Sequence, residues 1–359
     1  MLDLVLKSGV RNLRYVKISS NSGLKVSVLS LGTWHLPRLP EVDEAGAYKI
    51  DVDEFKRVIK LAYDNGIDFV DTANRYHGGI SPVPLTHVGY AEKLLGELLK
   101  DYDREWWVIA TKVAGRMAPG PNGEGLNRKH VMWQIGESLR RLQMDYVDIY
   151  YMHRDDPETP KPEIMRTFTY LVEKGVIRYI GASNFPGLSL VEYMEIAERY
   201  MLEPITALQY KYNLIEREIE EDIIPVARRY GLGLIVYSPL AQGVLAGKYV
   251  DREARKWRIP ALSRATYMES IAKRYFTESM LKFMLKFMDF AEERGLTPAQ
   301  LVLAWTINME KVWKIPIIPI ISVSKLSHLE EAIAASEVNL SNEDLIYMEE
   351  ITQGINFGS

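Results

Sequence analysis

The sequence contains no cysteine among its 359 residues. That absence excludes disulfide bonds, thiolate metal sites and thiol nucleophiles together. It agrees with a reducing cytoplasm, because disulfides persist mainly in oxidising compartments. It also agrees with a thermophilic source, because heat-labile residues are sparse in proteins from hot habitats. We therefore expect a cytoplasmic protein, and a thermophilic origin is a second expectation.

Long apolar runs and a strong excess of one charge are also missing. The longest apolar run, near residues 315–323, contains two prolines and is far shorter than the ~20 residues of a membrane helix. The N-terminal MLDLVLKSGV has no basic segment followed by an apolar core, so no signal peptide is expected. With 44 Lys and Arg against 48 Asp and Glu, the net charge is −4. Neither nucleic acid nor a membrane is expected as a partner.

Short apolar segments alternate with segments of helical period along the chain. Nearly continuous apolar runs are typical of parallel strands that are buried on both faces. Eight such strands are predicted, over residues 26–33, 67–73, 106–113, 146–153, 176–184, 205–210, 232–240 and 317–323. Between them, start and stop signals predict helices that include residues 53–66, 127–143, 162–175 and 296–309.

Eight strands that alternate with helices, without a Pro/Gly/Ser linker, predict an α/β fold with one (β/α)8 TIM barrel as a single domain over residues 1–359. A doubly wound open sheet is the alternative.

Some segments are additional to the strands and helices of a barrel. Residues 1–30 contain a predicted β-hairpin that caps one end, and residues 350–359 form a loose tail. Long connections follow strands at residues 34–52, 77–89, 114–127 and 241–277, so they gather at the C-terminal mouth of the barrel.

Three successive predicted strands end on an ionisable residue, namely Asp71, Lys112 and His153. The intervals are 112 − 71 = 41 and 153 − 112 = 41 residues, one βα unit each. In a barrel this spacing predicts an acid, an amine and an imidazole side by side at the C-terminal rim. A single ionisable residue at a strand end can be explained by the strand reaching the protein surface there. Three are hard to explain structurally, because buried charges are costly unless paired, and we expect Asp71 to pair with Lys112.

Tyr76 follows Asp71 on the loop that leaves the same strand. A tyrosine in such a place is often only a packing residue. Beside a lysine ammonium, however, the phenolate is favoured, and the pKa of the phenol falls from about 10 towards neutrality. The sequence therefore predicts that Tyr76 is a proton donor at neutral pH.

A family pattern is carried by six segments in order, SGLKVSVLSLGTW, GIDFVDTANRY, ATKV, SLRRLQMDYVDIYYMHR, IRYIGASN and YSPLAQGVLAGKY. With them the chain resembles the aldo-keto reductase family over nearly its whole length. The resemblance implies an NAD(P)H-dependent oxidoreductase that acts on aldehyde or ketone carbonyls. It puts Asp71, Tyr76, Lys112 and His153 on the catalytic positions. Tyr76 is then the general acid, Lys112 depresses its pKa, Asp71 holds Lys112 charged, and His153 orients the carbonyl.

No GxGxxG motif follows the first strand, so a Rossmann dinucleotide site is not expected. The resemblance implies instead that a nicotinamide cofactor lies extended across the barrel mouth. The implied contacts are Gly32, Thr33 and Trp34 near the nicotinamide, Ser183, Asn184 and Gln209 on the carboxamide, Tyr237 stacked on the ring, Ser238, Leu240, Gln242 and Gly243 beside the pyrophosphate, and Ser322, Ser324, Lys325 and His328 at the adenine end, with Asp71 as a further cofactor contact.

The adenine end departs from the family pattern. Family members often have a P-G-x-[RS]-[KR] run followed by Gln or Arg and then Asn, whereas this chain has ISVSK, His328 and Ala332. Ser324 and Lys325 still offer partners for a 2′-phosphate beside the start of a helix. NADP(H) is therefore favoured, and NAD(H) stays open.

Aromatic residues on the long loops predict the substrate pocket. Its expected walls are Trp34, His35, Tyr76, Met117 and Trp257, which suit small aldehydes, ketones or aryl alcohols. The basic run REARKWR at 252–258 either clamps cofactor phosphates or faces solvent, and solvent is favoured. The six histidines lack ligand spacing, so no metal site is expected.

Two other functions stay open at this point. Some relatives of this fold act as channel partners, so a cofactor-bound regulatory or scaffold subunit with little turnover is one alternative. The other is an unrelated barrel enzyme, such as an aldolase that uses Lys112 as a Schiff-base lysine. An adjacent acid argues against the aldolase, because it keeps the amine charged and therefore poorly nucleophilic.

Overall fold

Eight parallel strands close into a barrel in the computed structural model, which describes residues 13–261, 263–266 and 268–358. Each strand pairs with the next one along the chain, and the last pairs with the first. The (β/α)8 prediction is confirmed, and the open sheet is excluded. The barrel strands are β3 (Ser30–Gly32), β6 (Phe69–Asp71), β7 (Val108–Val113), β8 (Val147–Met152), β9 (Ile177–Ser183), β10 (Ile205–Lys211), β11 (Gly233–Tyr237) and β14 (Ile317–Ser322).

Glycines let large side chains share the barrel interior. Tyr151 is fully buried and lies opposite Gly181 on the neighbouring strand. A Cβ on Gly181 would lie 2.3 Å from the Tyr151 ring. Where the barrel closes, a Cβ on Gly32 would lie 2.4 Å from Cγ2 of Ile320. Both positions therefore require glycine, because packed interiors leave no room for an additional methyl group.

The helices lie between the strands and after them. They are α1 (Val52–Asp64), α2 (Tyr90–Leu99), α3 (Arg128–Leu142), α4 (Lys161–Glu173), α5 (Gly187–Tyr200), α6 (Ile219–Tyr230), α7 (Glu269–Tyr275), α8 (Glu278–Glu293), α9 (Pro298–Trp313), α10 (Leu326–Ser336) and α11 (Asn342–Ile351). The sequence signals at their starts act as expected. Asn127 caps α3 by accepting from the His130 amide at 3.0 Å, and Thr297 forms a capping box with Gln300 at the start of α9.

The predicted strand 26–33 is two strands, which is a correction. β1 (Tyr15–Lys17) and β2 (Lys25–Ser27) form an antiparallel hairpin, and β3 then enters the barrel. Ile18 and Val26 are fully buried against the inner barrel residues, and the Gly233 amide donates to the Ile18 carbonyl at 3.0 Å. The hairpin thus caps the N-terminal end of the barrel, as expected. Residues 1–12 of the predicted hairpin region lie outside the described residues.

Two of the long connections contain small sheets. β4 (Arg38–Val42) and β5 (Tyr48–Ile50) form a hairpin after the first barrel strand, and β12 (Val250–Asp251) pairs with β13 (Lys256–Trp257) after the seventh. The C-terminal tail is held rather than loose as far as it is described. The Asn356 carbonyl accepts from the Thr277 hydroxyl at 2.8 Å, and the Gly358 amide donates to the Arg274 carbonyl at 2.8 Å.

Two glycines inside helices should respond oppositely to alanine. A Cβ on Gly96 in α2 would lie 2.4 Å from the Leu142 carbonyl oxygen, whereas a Cβ on Gly136 in α3 would meet nothing within 4 Å. We expect Gly96→Ala to lower the free energy of unfolding by about 1–3 kcal/mol, because the backbone of α3 must shift. Gly136→Ala should raise it by about 0.5–1 kcal/mol through helix propensity. Urea unfolding monitored by circular dichroism measures both, and equal shifts would contradict the close approach of the two helices.

Candidate active site

The residues predicted from strand ends lie together at the C-terminal mouth of the barrel. Asp71 ends β6, Lys112 lies in β7, and His153 directly follows β8, with its amide donating to the Val113 carbonyl at 2.8 Å. Tyr76 is held on its loop by backbone bonds. Its amide donates to the Ala73 carbonyl at 3.0 Å, and its carbonyl accepts from an amide of α2. Parallel strands end on one side of the barrel, which is why side chains 41 residues apart converge.

Lys112 is the centre of this cluster. Its ammonium is fully buried and donates to Asp71 Oδ2 at 2.6 Å, to the Thr72 carbonyl at 2.8 Å and to Tyr76 Oη at 3.3 Å. The second carboxylate oxygen of Asp71 accepts from the Gln209 amide at 2.8 Å. The expected ion pair is therefore present, and its charges are satisfied by hydrogen bonds on both sides, as a buried pair requires.

The electrostatics of Tyr76 differ from the expectation that Lys112 depresses its pKa. Burial raises the pKa of the Tyr76 phenol well above its ordinary value, and the Asp71 carboxylate raises it further. The physical reason is that Asp71 already compensates the charge of Lys112 at 2.6 Å, so little positive field remains for a phenolate. Tyr76 is therefore a neutral phenol with a proton to donate.

His153 is a neutral imidazole beside that phenol. Its ring lies edge-on to the Tyr76 ring, with centroids 5.8 Å apart. Burial lowers the pKa of His153 to about 3, with the charges of Lys112 and Arg154 adding to the effect. At neutral pH the ring consequently has one N–H donor and one bare nitrogen.

A cavity of about 930 Å³ opens over the cluster. It extends from Asp71, Tyr76 and His153 to Lys325 and His328 at the start of α10. Almost all residues that were expected to contact the cofactor line it, namely Gly32, Trp34, Asp71, Ser183, Asn184, Gln209, Tyr237, Ser238, Leu240, Gln242, Gly243, Ser322, Ser324, Lys325 and His328. Thr33 lies behind the wall, where its hydroxyl donates to Thr72 Oγ1 at 2.8 Å.

The substrate-wall predictions divide into two groups. Trp34 and His35 line the cavity, whereas Met117 and Trp257 do not. Trp257 stacks on Phe276 with ring centroids 4.5 Å apart, and its indole N–H donates to the Thr277 carbonyl at 3.0 Å. The loop that bears Trp257 therefore folds its indole onto the following helices instead of towards the barrel mouth. The backbone amide of Met117 bonds within its own loop, to the Gly123 carbonyl at 2.8 Å.

Three cationic lining residues were not predicted from the sequence: Arg38 on β4, Lys248, and Arg264 in the loop after β11. Burial, together with the charges of Arg264, Arg38 and Lys325, lowers the pKa of Lys248 to about 8. The lysine of the GKY tripeptide was the available signal for Lys248. No local pattern indicated the arginines, because they reach this cavity from loops more than two hundred residues apart (264 − 38 = 226).

The basic run at 252–258 stays away from the cavity lining. Arg252 pairs with Asp289 at 2.6 Å and with Glu292 at 2.9 Å on α8. Of the two interpretations of this run, the phosphate clamp therefore has no geometric support.

Comparison with known proteins identifies the family. A family model described as "Aldo/keto reductase family" matches residues 28–353, which include the barrel and all four residues of the cluster. The chain belongs to the aldo/keto reductase family. The prediction of an oxidoreductase of this family is thereby confirmed, because named reductases are among its relatives.

Relatives of this aldo/keto reductase include proteins named as potassium channel subunits and proteins named as reductases. A putative voltage-gated potassium channel subunit beta of Schizosaccharomyces pombe is 38% identical, over 80% of this chain and 79% of its own. A probable subunit of the same name from Arabidopsis thaliana is 33% identical, over 88% and 89%. An L-glyceraldehyde 3-phosphate reductase of Escherichia coli O157:H7 is 30% identical, over 92% and 90%.

Membrane-spanning helices were sought in this reductase over residues 13–261, 263–266 and 268–358. No helix in those ranges combines the length and the apolar character that crossing a bilayer requires.

The neutral state of His153 predicts a pH dependence of stability. A folded-state pKa of about 3 lies below the ordinary 6.5, so the unfolded chain binds the proton first and stability falls as the pH drops below 6.5. His153→Gln removes this titration. When the pH is lowered from about 7 to about 5.5, the free energy of unfolding of the wild type should fall by about 1 kcal/mol more than that of the variant. Urea unfolding of both proteins at the two pH values gives their free energies of unfolding. If the difference between wild type and variant is the same at both pH values, the pKa of His153 is not lowered by folding.

Proposed function

We propose that the protein is an NAD(P)H-dependent carbonyl reductase in which Tyr76 gives the proton. The observation that carries this proposal is the position of the Lys112 ammonium, which contacts both Asp71 and Tyr76 Oη at the floor of the cavity. A reductase needs a positioned acid where negative charge develops on the carbonyl oxygen. The phenol of Tyr76 and the imidazole of His153 border the same point of the cavity.

Each side chain has a distinct part in the proposed reaction. The nicotinamide, when bound, supplies the hydride that reduces the carbonyl carbon. The neutral His153 donates an N–H bond to the carbonyl oxygen and fixes its orientation. Tyr76 passes its proton to the same oxygen. Lys112, whose Nζ lies 3.3 Å from Tyr76 Oη, donates a hydrogen bond to the resulting phenolate, while Asp71 keeps the amine in place. In the opposite direction, Tyr76 takes the proton from an alcohol.

The residues present suit a dinucleotide. The far part of the cavity has four cationic side chains, Arg38, Lys248, Arg264 and Lys325, against the carboxylate of Glu331. Burial first, and the neighbouring cations second, lower the pKa of Lys248, and an anion bound there would offset the repulsion between the cations. His35 is buried beside this group, and its Nε2 has no hydrogen-bond partner within the part of the chain that the structure describes. These features favour a ligand with several phosphates.

The substrate class and the location follow from coarser features. Trp34 and His35, whose ring centroids are 4.2 Å apart, give the cavity an aromatic wall. That wall suits small aldehydes, ketones and aryl alcohols, and one relative is named an L-glyceraldehyde 3-phosphate reductase. A cytoplasmic location agrees with the absence of cysteine.

The names of the channel-subunit relatives favour a second candidate, a cofactor-binding subunit with little turnover. Turnover separates the two candidates, because a subunit of that kind binds NADPH without oxidising it at an enzymatic rate. The aldolase alternative is disfavoured by the contacts of Lys112. Burial lowers the pKa of Lys112, but its ammonium has three hydrogen-bond partners, one of them the Asp71 carboxylate, and a neutral nucleophile for a Schiff base would lose these charge-assisted bonds.

Removing the phenol hydroxyl tests the reductase directly. Tyr76→Phe should lower kcat for a panel of aldehydes and ketones by about 10²–10⁴, because the proton donor is lost. The affinity for NADPH should stay the same. Absorbance of the reduced nicotinamide gives the rates, and fluorescence titration gives the affinity.

Tyr347→Phe is the control, because Tyr347 packs on Phe290 far along the chain from the cluster. Full turnover by the Tyr76 variant would refute the assigned proton donor. A wild-type protein that binds NADPH but turns over none of the panel would favour the subunit instead.

Lys325 provides a test of cofactor choice. It precedes α10 and lines the cavity beside Ser324, so we expect it to bind the 2′-phosphate that only NADP(H) has. Lys325→Met should weaken NADPH binding about tenfold, since charge-assisted bonds contribute roughly 1.5–3 kcal/mol and this one is exposed. NADH binding should change little. Lys286→Met on the surface of α8 is the matched control, and equal losses for both cofactors would rule out recognition of the 2′-phosphate by Lys325.

A further inference from the structure

Glu216 is a buried carboxylate outside the catalytic cluster. It follows β10, and its side chain is fully buried. It accepts from Lys211 Nζ at 2.7 Å, from Arg274 Nη2 at 2.9 Å and from the Asn213 amide at 2.9 Å. A carboxylate with this many donors has one defined orientation, and it fixes the orientation of each donor as well.

Asn213 connects Glu216 to the cavity wall. The same Asn213 amide that donates to Glu216 also donates to the Ser238 carbonyl at 3.0 Å. Ser238 lines the cavity and has a left-handed backbone, with φ of 57°. That conformation is unfavourable for a residue with a side chain, so it needs bonds that hold it. The Asn213 amide is such a bond, and Glu216 keeps the amide pointing at Ser238.

The loop that begins at Ser238 bears the cationic part of the cavity. The Gln242 amide donates to Ser238 Oγ at 3.2 Å, and Arg264 donates to Gln242 Oε1 at 2.9 Å. The same loop includes Lys248 and ends in α7. The position of Ser238 therefore sets the start of a segment whose later residues face the expected phosphates.

Glu216 also holds the far end of this loop. Arg274 in α7 donates to Glu216 through Nε at 3.1 Å and through Nη2 at 2.9 Å. The guanidinium of Arg274 lies over the ring of Phe357, 4.7 Å from its centroid, and the Arg274 carbonyl accepts from the Gly358 amide. The C-terminal tail thus packs against the arginine that Glu216 binds. Both ends of the loop are fixed by one carboxylate.

We propose that Glu216 is a positioning residue for the cofactor, which holds the two ends of the loop between Ser238 and Arg274 in place, through Asn213 at one end and Arg274 at the other. This inference rests on the proposed function, because it assumes that a nicotinamide dinucleotide binds in the cavity. The role is one of binding geometry. Glu216 does not line the cavity, and its effect on the cofactor passes through Ser238, Gln242, Lys248 and Arg264.

Stability alone does not account for this arrangement. Buried ion pairs contribute little net stability, because desolvation offsets much of their attraction. The two cationic side chains that bind Glu216 are also partly exposed to water, Lys211 to 35% and Arg274 to 42%. Glu216→Gln therefore leaves no cation stranded in the interior, and we expect the variant to fold.

The test measures cofactor affinity and turnover separately. Glu216→Gln should raise the Kd for NADPH, measured by fluorescence titration, about 3- to 30-fold, the range typical of residues that act through others. The KM for NADPH should rise with it. The kcat at saturating cofactor should stay within about twofold, because the catalytic groups are untouched. Arg274→Gln removes the partly exposed partner of the same ion pair. It should likewise raise the Kd and KM for NADPH while kcat stays nearly unchanged, and it provides the test if the Glu216 variant fails to fold.

Arg294 provides a matched control. It donates to the buried carboxylate of Asp344 at 2.7 Å and lies over the ring of Phe290 at 4.3 Å, much as Arg274 contacts Glu216 and Phe357. Arg294→Gln should lower Tm yet leave the Kd for NADPH unchanged. A wild-type Kd in both Glu216→Gln and Arg274→Gln, with Tm lowered as in the control, would overturn the positioning role. Failure of the wild-type protein to bind NADPH would instead overturn the proposed function.

Discussion

The buried ion pair of Lys112 and Asp71 is the constraint on which the barrel mouth depends. An ammonium with no exposure to water costs several kcal/mol unless a carboxylate and further acceptors surround it. Asp71 supplies one acceptor, the Thr72 carbonyl a second and Tyr76 a third. Satisfying Lys112 therefore fixes the end of β6, the start of the following loop and the phenol on that loop. The pair also explains why Gln209 points inwards, since its amide satisfies the other oxygen of Asp71.

The same pair determines the protonation of its neighbours. Because Asp71 compensates the charge of Lys112, burial is the largest influence on the pKa of Tyr76 and raises it. Burial also decides the pKa of His153 and lowers it. Both shifts favour the neutral form, and both neutral forms have a hydrogen to donate. The end of the cavity around Asp71 is thus an environment of neutral donors around a compensated pair, while four cationic side chains line the far end, around Lys248. A cofactor with an uncharged carboxamide at one end and phosphates at the other matches that division.

Sequence periodicity predicted the barrel because a parallel strand buried on both faces is a continuous apolar run. The same property hid the break between β2 and β3, since Val28 and Leu29 in the break are themselves buried and apolar. Strand ends predicted Asp71, Lys112 and His153 for a topological reason that applies to any such barrel. Loop residues had no equivalent rule. Trp257 was expected at the substrate and stacks on Phe276 instead, because tertiary contacts of its loop decide its direction.

The loops show why the proposed cofactor end of the cavity is harder to predict than the proposed catalytic end. Asn184, Ser238 and Gln242 all have left-handed backbones, with φ of 59°, 57° and 59°. Each such residue costs of order 1 kcal/mol or more, and it persists only where surrounding bonds determine it. Asn184 Oδ1 accepts from the Tyr237 hydroxyl at 2.8 Å, and the Ser238 carbonyl accepts from Asn213. The barrel supplies these partners from β11 and from the segment that follows β10. Since the strained conformations depend on residues that lie far along the chain, the geometry of the cofactor end follows from the closed barrel and not from any local sequence signal.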